Sequence, residues 1–324
     1  MRRMTLYILL GIIISITIAG IAFLHQPSFG RLPKGERLEH IKRSPNYREG
    51  EFRNIDTTIL MTSHKSRLSG IWSFLFRKVE GLRPDEPIPA IKTDLRKIPL
   101  EENALVWFGH SSYLLQVDEK RILVDPVFCM ASPVSFVNKP FRGTEIYSPD
   151  DMPDIDYLVI SHDHWDHLDY HTVKQLKGRI GKVVCPLGVG EHFEHWGFDK
   201  SRIIELDWKE SATLSQQFII HCLPSRHFSG RGLTPNQTLW ASFLLETPDR
   251  KIFIGGDGGY GSHLKQIGEQ FPDIDLAILE NGQYNEDWKY IHTMPSLLEQ
   301  TIKDLRVHRV LTVHLSLIHI SEPT

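Results

Sequence analysis

Residues 160–169 read ISHDHWDHLD, three histidines and three aspartates in ten positions with no lysine or glutamate among them. Surface polarity does not account for the run, because Lys and Glu are the ordinary solvated residues. Metal ligation does: imidazole combined with carboxylate suits zinc, iron or manganese better than calcium. His162, His164, Asp166 and His167 are the candidate ligands in this stretch. Residues i and i+2 of a strand share a side, so His162 and His164 present two rings together and Asp166 follows them. His167 joins only if the chain turns after His164. A zincin helix needs Glu directly after its first His. Asp163 stands there instead and an apolar run precedes it, so the pattern is a loop at a strand end. Four ligands on one loop serve half of each of two metal centres, and the others must come from elsewhere. His227, Asp257 and His314 close the runs FIIHCLPSRH, KIFIGGD and RVLTVH, each where a strand would run out.

These ligands need a frame that brings several strand ends together. From about residue 103 the chain supplies short apolar or alternating runs broken by polar turns, which read as strands. ALVWFG, SYLLQV, RILVDP, DYLVISH, KVVCPLG, WASFLLET and DLAILENG join the three runs above. TVKQLKGRIG reads as a short helix ending at Gly181, and SHLKQIGEQF and PSLLEQTIKDL read as further helices. Strands with interspersed helices predict a layered α/β protein whose site lies at the strand ends.

With its flanks, the set of His162, His164, Asp166, His167, His227, Asp257 and His314 resembles the metallo-β-lactamase fold. FGHSSYLLQV, ILVDPVF, ASPVSF, SHDHWDHLD, HFSGRGL with LWASF, GGDGGYG and IHTMPS resemble N-acyl-phosphatidylethanolamine-hydrolysing phospholipase D and its bacterial relatives over about residues 40 to 314. The resemblance implies an αββα sandwich with two Zn2+ between its sheets. His162, His164 and His227 would hold one ion, Asp166, His167 and His314 the other, and Asp257 would bridge them. It further implies Asp166 and Asp257 as the catalytic carboxylates and a metal-bridging hydroxide as nucleophile, acting on a phosphodiester of an N-acyl phospholipid. A lactonase or other ester hydrolase of the same fold is the alternative enzyme, and a non-catalytic metal-binding surface protein is the alternative from another class. Asp169 is expected to brace a ligand imidazole, with a helix N-cap as its other reading. His292 is expected to line the substrate cleft, a surface loop being the other reading. His110 reads as structural. Tyr260, Gln283 and Trp240 are pocket candidates that core packing explains equally well.

The two ends of the chain carry other messages. Leu6 to Leu24 is a run of 19 uncharged residues behind Arg2 and Arg3, nearly long enough as a helix to cross a hydrocarbon core of ~30 Å. Residues 1–25 therefore read as a transmembrane anchor or a cleaved signal sequence. Either sends the remainder out of the cytoplasm by the positive-inside rule. Residues 26–100 read as an irregular lead-in packed on the core, within which SGIWSFLFRKVEGLRP (69–84) could cover the core or touch a membrane interface. Residues 101–314 form the expected catalytic domain. The last ten residues, LSLIHISEPT, resemble the translation of a transposase-type sequencing adapter, so natural sequence is expected to stop near His314 and residues 315–324 to be an artefact. The net charge of -3 and pI near 6.6 call for no nucleic-acid partner. Three widely spaced cysteines make neither a disulfide framework nor a zinc ribbon.

Overall fold

The computed structural model describes residues 2–62, 83–134, 138–281 and 284–314. Gln283, most of the 69–84 stretch and the adapter-like residues 315–324 lie outside those ranges. Twelve strands form two six-stranded sheets, and a two-stranded hairpin, β1 (Tyr47–Arg48) with β2 (Glu51–Phe52), precedes them. The first sheet runs in chain order: β3 (Ala104–Gly109), β4 (Ser112–Val117), β5 (Lys120–Val124), β6 (Ile155–Val159), β7 (Ile180–Pro186) and β8 (Ile203–Leu206). The second also runs in order: β9 (Ser211–Ser215), β10 (Phe218–Leu223), β11 (Ser242–Glu246), β12 (Lys251–Ile254), β13 (Leu276–Glu280) and β14 (Val310–Val313).

Burial explains the sequence character of these strands. β6 and β7 are parallel to their neighbours, and their buried halves, residues 157–159 and 183–186, read as continuous apolar runs rather than alternating ones. The inter-sheet layer is packed by Leu115, Val159, Ile220, Trp240, Phe243 and Ile254, among others. Outside the first sheet lie α3 (Tyr170–Leu176) and α4 (Gly190–His195), whose Leu176 and Phe193 pack with Leu158 and Val183 of the strands. Outside the second lie α5 (Ser262–Gln270) and α6 (Pro295–Leu305), whose Ile267 and Leu305 pack with Phe253 and Ala277 of the strands. The layers are helix, sheet, sheet, helix.

The two sheets present strand ends along a common edge. β11 is antiparallel to both β10 and β12, so those two strands run the same way, and β13 and β14 run parallel to β12. The segments following β10, β12, β13 and β14 therefore emerge along one edge. The segments following β5 and β6 meet them there from the other sheet.

Two boundaries differ from expectation. The strand DYLVISH ends at Val159, three residues before His162, so loop turns rather than strand alternation aim the first two histidines. The helix read through Gly181 ends at Leu176. Gly181 belongs to β7, where a Cβ would come within 2.6 Å of the Asp156 carbonyl oxygen of β6.

The chain begins with α1 (Arg2–Leu24), which buries none of its apolar window against the rest of the molecule. At ~1.5 Å per residue it is long enough to span a bilayer core, though a signal sequence has the same character. A 3-10 turn (Pro27–Phe29), α2 (Gly35–Ile41) and the β1–β2 hairpin follow. They insert Ile41 and Phe52 fully into the inter-sheet core.

Candidate metal centre

All seven expected ligands meet at this common edge. The loop after β6 turns back on itself through His167 N–H and Leu168 N–H, both donating to the His164 carbonyl (3.1 and 2.8 Å). That turn brings the His167 ring to 4.2 Å from His162, centroid to centroid. His227 arrives from beyond β10, Asp257 from beyond β12 and His314 from beyond β14. Two groups of donors result. His162 Nε2 lies 2.9 Å from His164 Nδ1, and His227 Nε2 lies 3.2 Å from the same atom. His167, His314 and Asp166 form the other group with His110, all their donor atoms within 4.8 Å of one another. Asp257 stands between the groups. Its Oδ1 is 3.1 Å from His167 Nε2, and its Oδ2 is 3.0 Å from His314 Nε2 and 3.8 Å from His227 Nε2.

This donor set fits cations. Two ring nitrogens, His162 Nε2 and His227 Nε2, crowd within 3.2 Å of a third, His164 Nδ1, a repulsive arrangement for lone pairs unless a proton or a cation sits among them. His167 Nε2, Asp257 Oδ1 and both His314 ring nitrogens are buried without a hydrogen-bond partner among the described residues. His167 Nε2 meets Asp257 Oδ1, and His314 Nε2 meets Asp257 Oδ2, at ion-pair distance but not along hydrogen-bond directions. Buried polar atoms are normally satisfied, so a convergent set of unsatisfied ones marks a place built for something else. Burial pushes the His162, His164 and His227 rings to lower pKa, which leaves their lone pairs open at neutral pH. Burial acts to raise the Asp257 carboxyl, but the facing His167 and His314 outweigh it and hold it well below the carboxylate range. His167 is pushed the other way: burial would lower it, but Asp257 and Asp125 carry it well above the ordinary value.

The surroundings fix the rings. His167 Nδ1 lies 2.8 Å from Asp125 Oδ2, and His227 Nδ1 lies 2.8 Å from the Ile291 carbonyl. Each contact places the ring proton on Nδ1 and turns Nε2 inward. Asp125 also accepts from Ser161 N–H (2.8 Å) and Ser161 Oγ (2.6 Å). Asn54, on the lead-in, clasps the backbone of His227 on both sides, at 2.7 Å to its carbonyl and 3.1 Å to its N–H. His110, Asp125 and His314 all have φ between 41° and 72°, a left-handed region that costs a non-glycine residue on the order of 1 kcal/mol.

Asp169 occupies a different position from the one expected of a ring brace. It caps α3 through His171 N–H and accepts from Cys129 N–H, Met130 N–H and the Thr172 hydroxyl. Those four donors occupy its two oxygens, and Asp125 is the carboxylate that touches a ligand ring. His292 is buried at the centre, 3.0 Å from Glu280 Oε2 and 3.8 Å from Asp257 Oδ2. His110, read as structural, approaches Asp166 at 3.1 Å. Tyr260 bonds Asp304 and Trp240 is packed in the inter-sheet core. Sequence reading missed Asp125, Glu280 and Asn54. The first two sit where RILVD and LAILE end, the same strand-end signal that marked Asp257.

The family described as Beta-lactamase superfamily domain matches residues 120–315, more than half of the chain. An uncharacterized protein of Mycobacterium tuberculosis is 40% identical over 259 residues, 78% of this chain and 68% of that one. N-acyl-phosphatidylethanolamine-hydrolyzing phospholipase D 1 of Caenorhabditis elegans is 31% identical over 225 residues, 64% of this chain and 62% of that one. Among solved structures, Igni18, a metallo hydrolase from Ignicoccus hospitalis, superposes with a TM-score of 0.50 at 20% identity, covering 65% of this chain and 81% of its own. A shared family, a shared fold and a convergent set of histidines and carboxylates lead to one conclusion: this chain is a metal-dependent hydrolase of the metallo-β-lactamase superfamily.

Proposed function

We propose that the protein is a two-zinc phosphodiesterase that cleaves N-acyl phospholipids on the phospholipase D side. The observation that carries the reading is the pairing of two donor groups around one carboxylate, Asp257. His162, His164 and His227 would hold one ion, and Asp166, His167 and His314 the other, with Asp257 shared. When bound, such ions supply Lewis acidity and make a water nucleophilic at neutral pH. The chain's own part is orientation. Asp125 and the Ile291 carbonyl fix two ring tautomers, and His110 and His292 hold the outer sides of Asp166 and Glu280. The likeness to the nematode phospholipase D supports the choice of substrate, and α1 would keep the domain beside such lipids.

The test combines metal content with turnover of an N-acyl phospholipid, run beside a lactone panel. About two zinc ions per chain with phosphodiester cleavage is expected, and His164→Ala should lose the activity with the fold intact. Turnover of lactones alone would transfer the reading to an ester hydrolase, and unchanged activity in His164→Ala would remove the loop from the chemistry.

A further inference from the structure

Arg231, from the HFSGRGL motif, is 5% exposed, and every hydrogen bond its guanidinium donates among the described residues goes to a backbone carbonyl. Nε and Nη2 donate to the Ser28 carbonyl at 3.1 and 2.7 Å. Nη1 donates to the carbonyls of Asp163 (2.9 Å) and Leu168 (2.6 Å). One fork thus grips the segment that follows α1 and, with its other arm, both ends of the ligand-bearing loop. Its face covers Trp165, 4.2 Å from the ring centre. Trp165 stands between His164 and Asp166 and meets Phe29 edge-on at 4.9 Å.

A second path runs beside the first. Arg31 N–H donates to His192 Nδ1 (3.0 Å), and His192 Nε2 lies 3.1 Å from Asp163 Oδ2. Trp196 Nε1 donates to the Pro27 carbonyl (2.7 Å). Residues 27–31 supply no ligand, yet they form the outer wall of the loop that supplies four.

We propose that Arg231 is a positioning residue that holds the 160–169 loop against residues 27–31, so that the seating of this segment sets how tightly the loop holds metal. The inference rests on the metal reading given under Proposed function. Groups that orient ligands from outside commonly change metal affinity about 10- to 100-fold when altered. A coupling of this kind acts equally in both directions, so metal must in turn steady residues 27–31.

Hydrogen exchange on the full chain in detergent micelles, metal-free and with zinc, reads that return effect. Zinc is expected to slow exchange at 160–169 and also at Gly30 and Arg31. In Arg231→Lys an ammonium cannot reach Ser28 and the loop together. Zinc affinity, measured by chelator competition, should then fall about 10-fold or more, and protection at Gly30 and Arg31 should vanish while that at 160–169 remains. Phe29→Ala, at a half-exposed site, should move both readouts the same way by less, with the melting temperature of the metal-free protein nearly unchanged. Protection confined to 160–169 in the wild type, or unaltered zinc affinity in both variants, would overturn the coupling and leave the metal reading in place. No protection at either segment would overturn the metal reading itself.

Discussion

Asp125 shows how a residue outside the donor set controls it. Its carboxylate takes the Nδ1 side of His167 and two bonds from Ser161. In Asp125→Asn the amide can present its NH2 to His167 and force the wrong tautomer. Metal affinity should drop about 10- to 100-fold in chelator competition with the circular dichroism spectrum retained. His263 gives a prediction of another kind. Burial pushes this ring down to about 4, with Asp56 opposing and Arg226 assisting. The unfolded ring takes its proton near 6.5, while the folded one stays neutral to about pH 4. Stability from this residue is therefore complete above pH 6.5 and is lost as pH falls from 6.5 towards 4, by up to ~3 kcal/mol. Denaturant titrations of His263→Gln across that window should show a flatter acid limb; an unchanged limb would mean that other groups set it. At this scale the sequence was legible where residue type and spacing coincide, as in His162 to His167. It was not legible for Asp125 or Asn54, because a lone carboxylate or amide acquires its role only when distant segments close on it.

The strands were legible because burial on two faces writes itself as continuous apolar runs, as in residues 157–159 of β6 and 183–186 of β7. The ends of elements were not. The loop after β6 begins at Ile160, as the chain leaves the sheet, and hydrogen bonds to the His164 carbonyl, not side-chain periodicity, shape it. β8 and β9 escaped notice because IIEL and SATLS are short and half-exposed. One turn carries particular weight. Gly256, next to Asp257, has φ +59°, and a Cβ there would lie 2.6 Å from the Ser161 Cβ. Gly256→Ala must either strain this turn or push the two sheets apart at the site. A loss on the order of 2 kcal/mol and weaker metal retention are expected, read by thermal melting with and without zinc. A variant with wild-type melting and metal content would show that the edge is more plastic than its packing implies.

In the whole molecule, candidate ligands from both sheets meet at one edge, and the described start of the lead-in is part of the same body, since Ile41 and Phe52 are fully buried between the sheets. Among the described residues, α1 is the helix whose apolar window is not buried against the rest. If it is an anchor, the intact chain should remain with membranes through an alkaline carbonate wash; recovery of a shorter soluble species would identify a cleaved signal. The anchored case has a mechanical consequence. Only His25 and Gln26 separate α1 from the turn at Pro27, and the Phe23 and Phe29 rings touch across that link at 5.2 Å. Two extended residues reach about 7 Å, comparable to one interfacial layer of a bilayer. The domain would stand on a stiff post, unable to swing on a leash, and encounters with substrate would be timed by lateral drift of lipids past a fixed mouth.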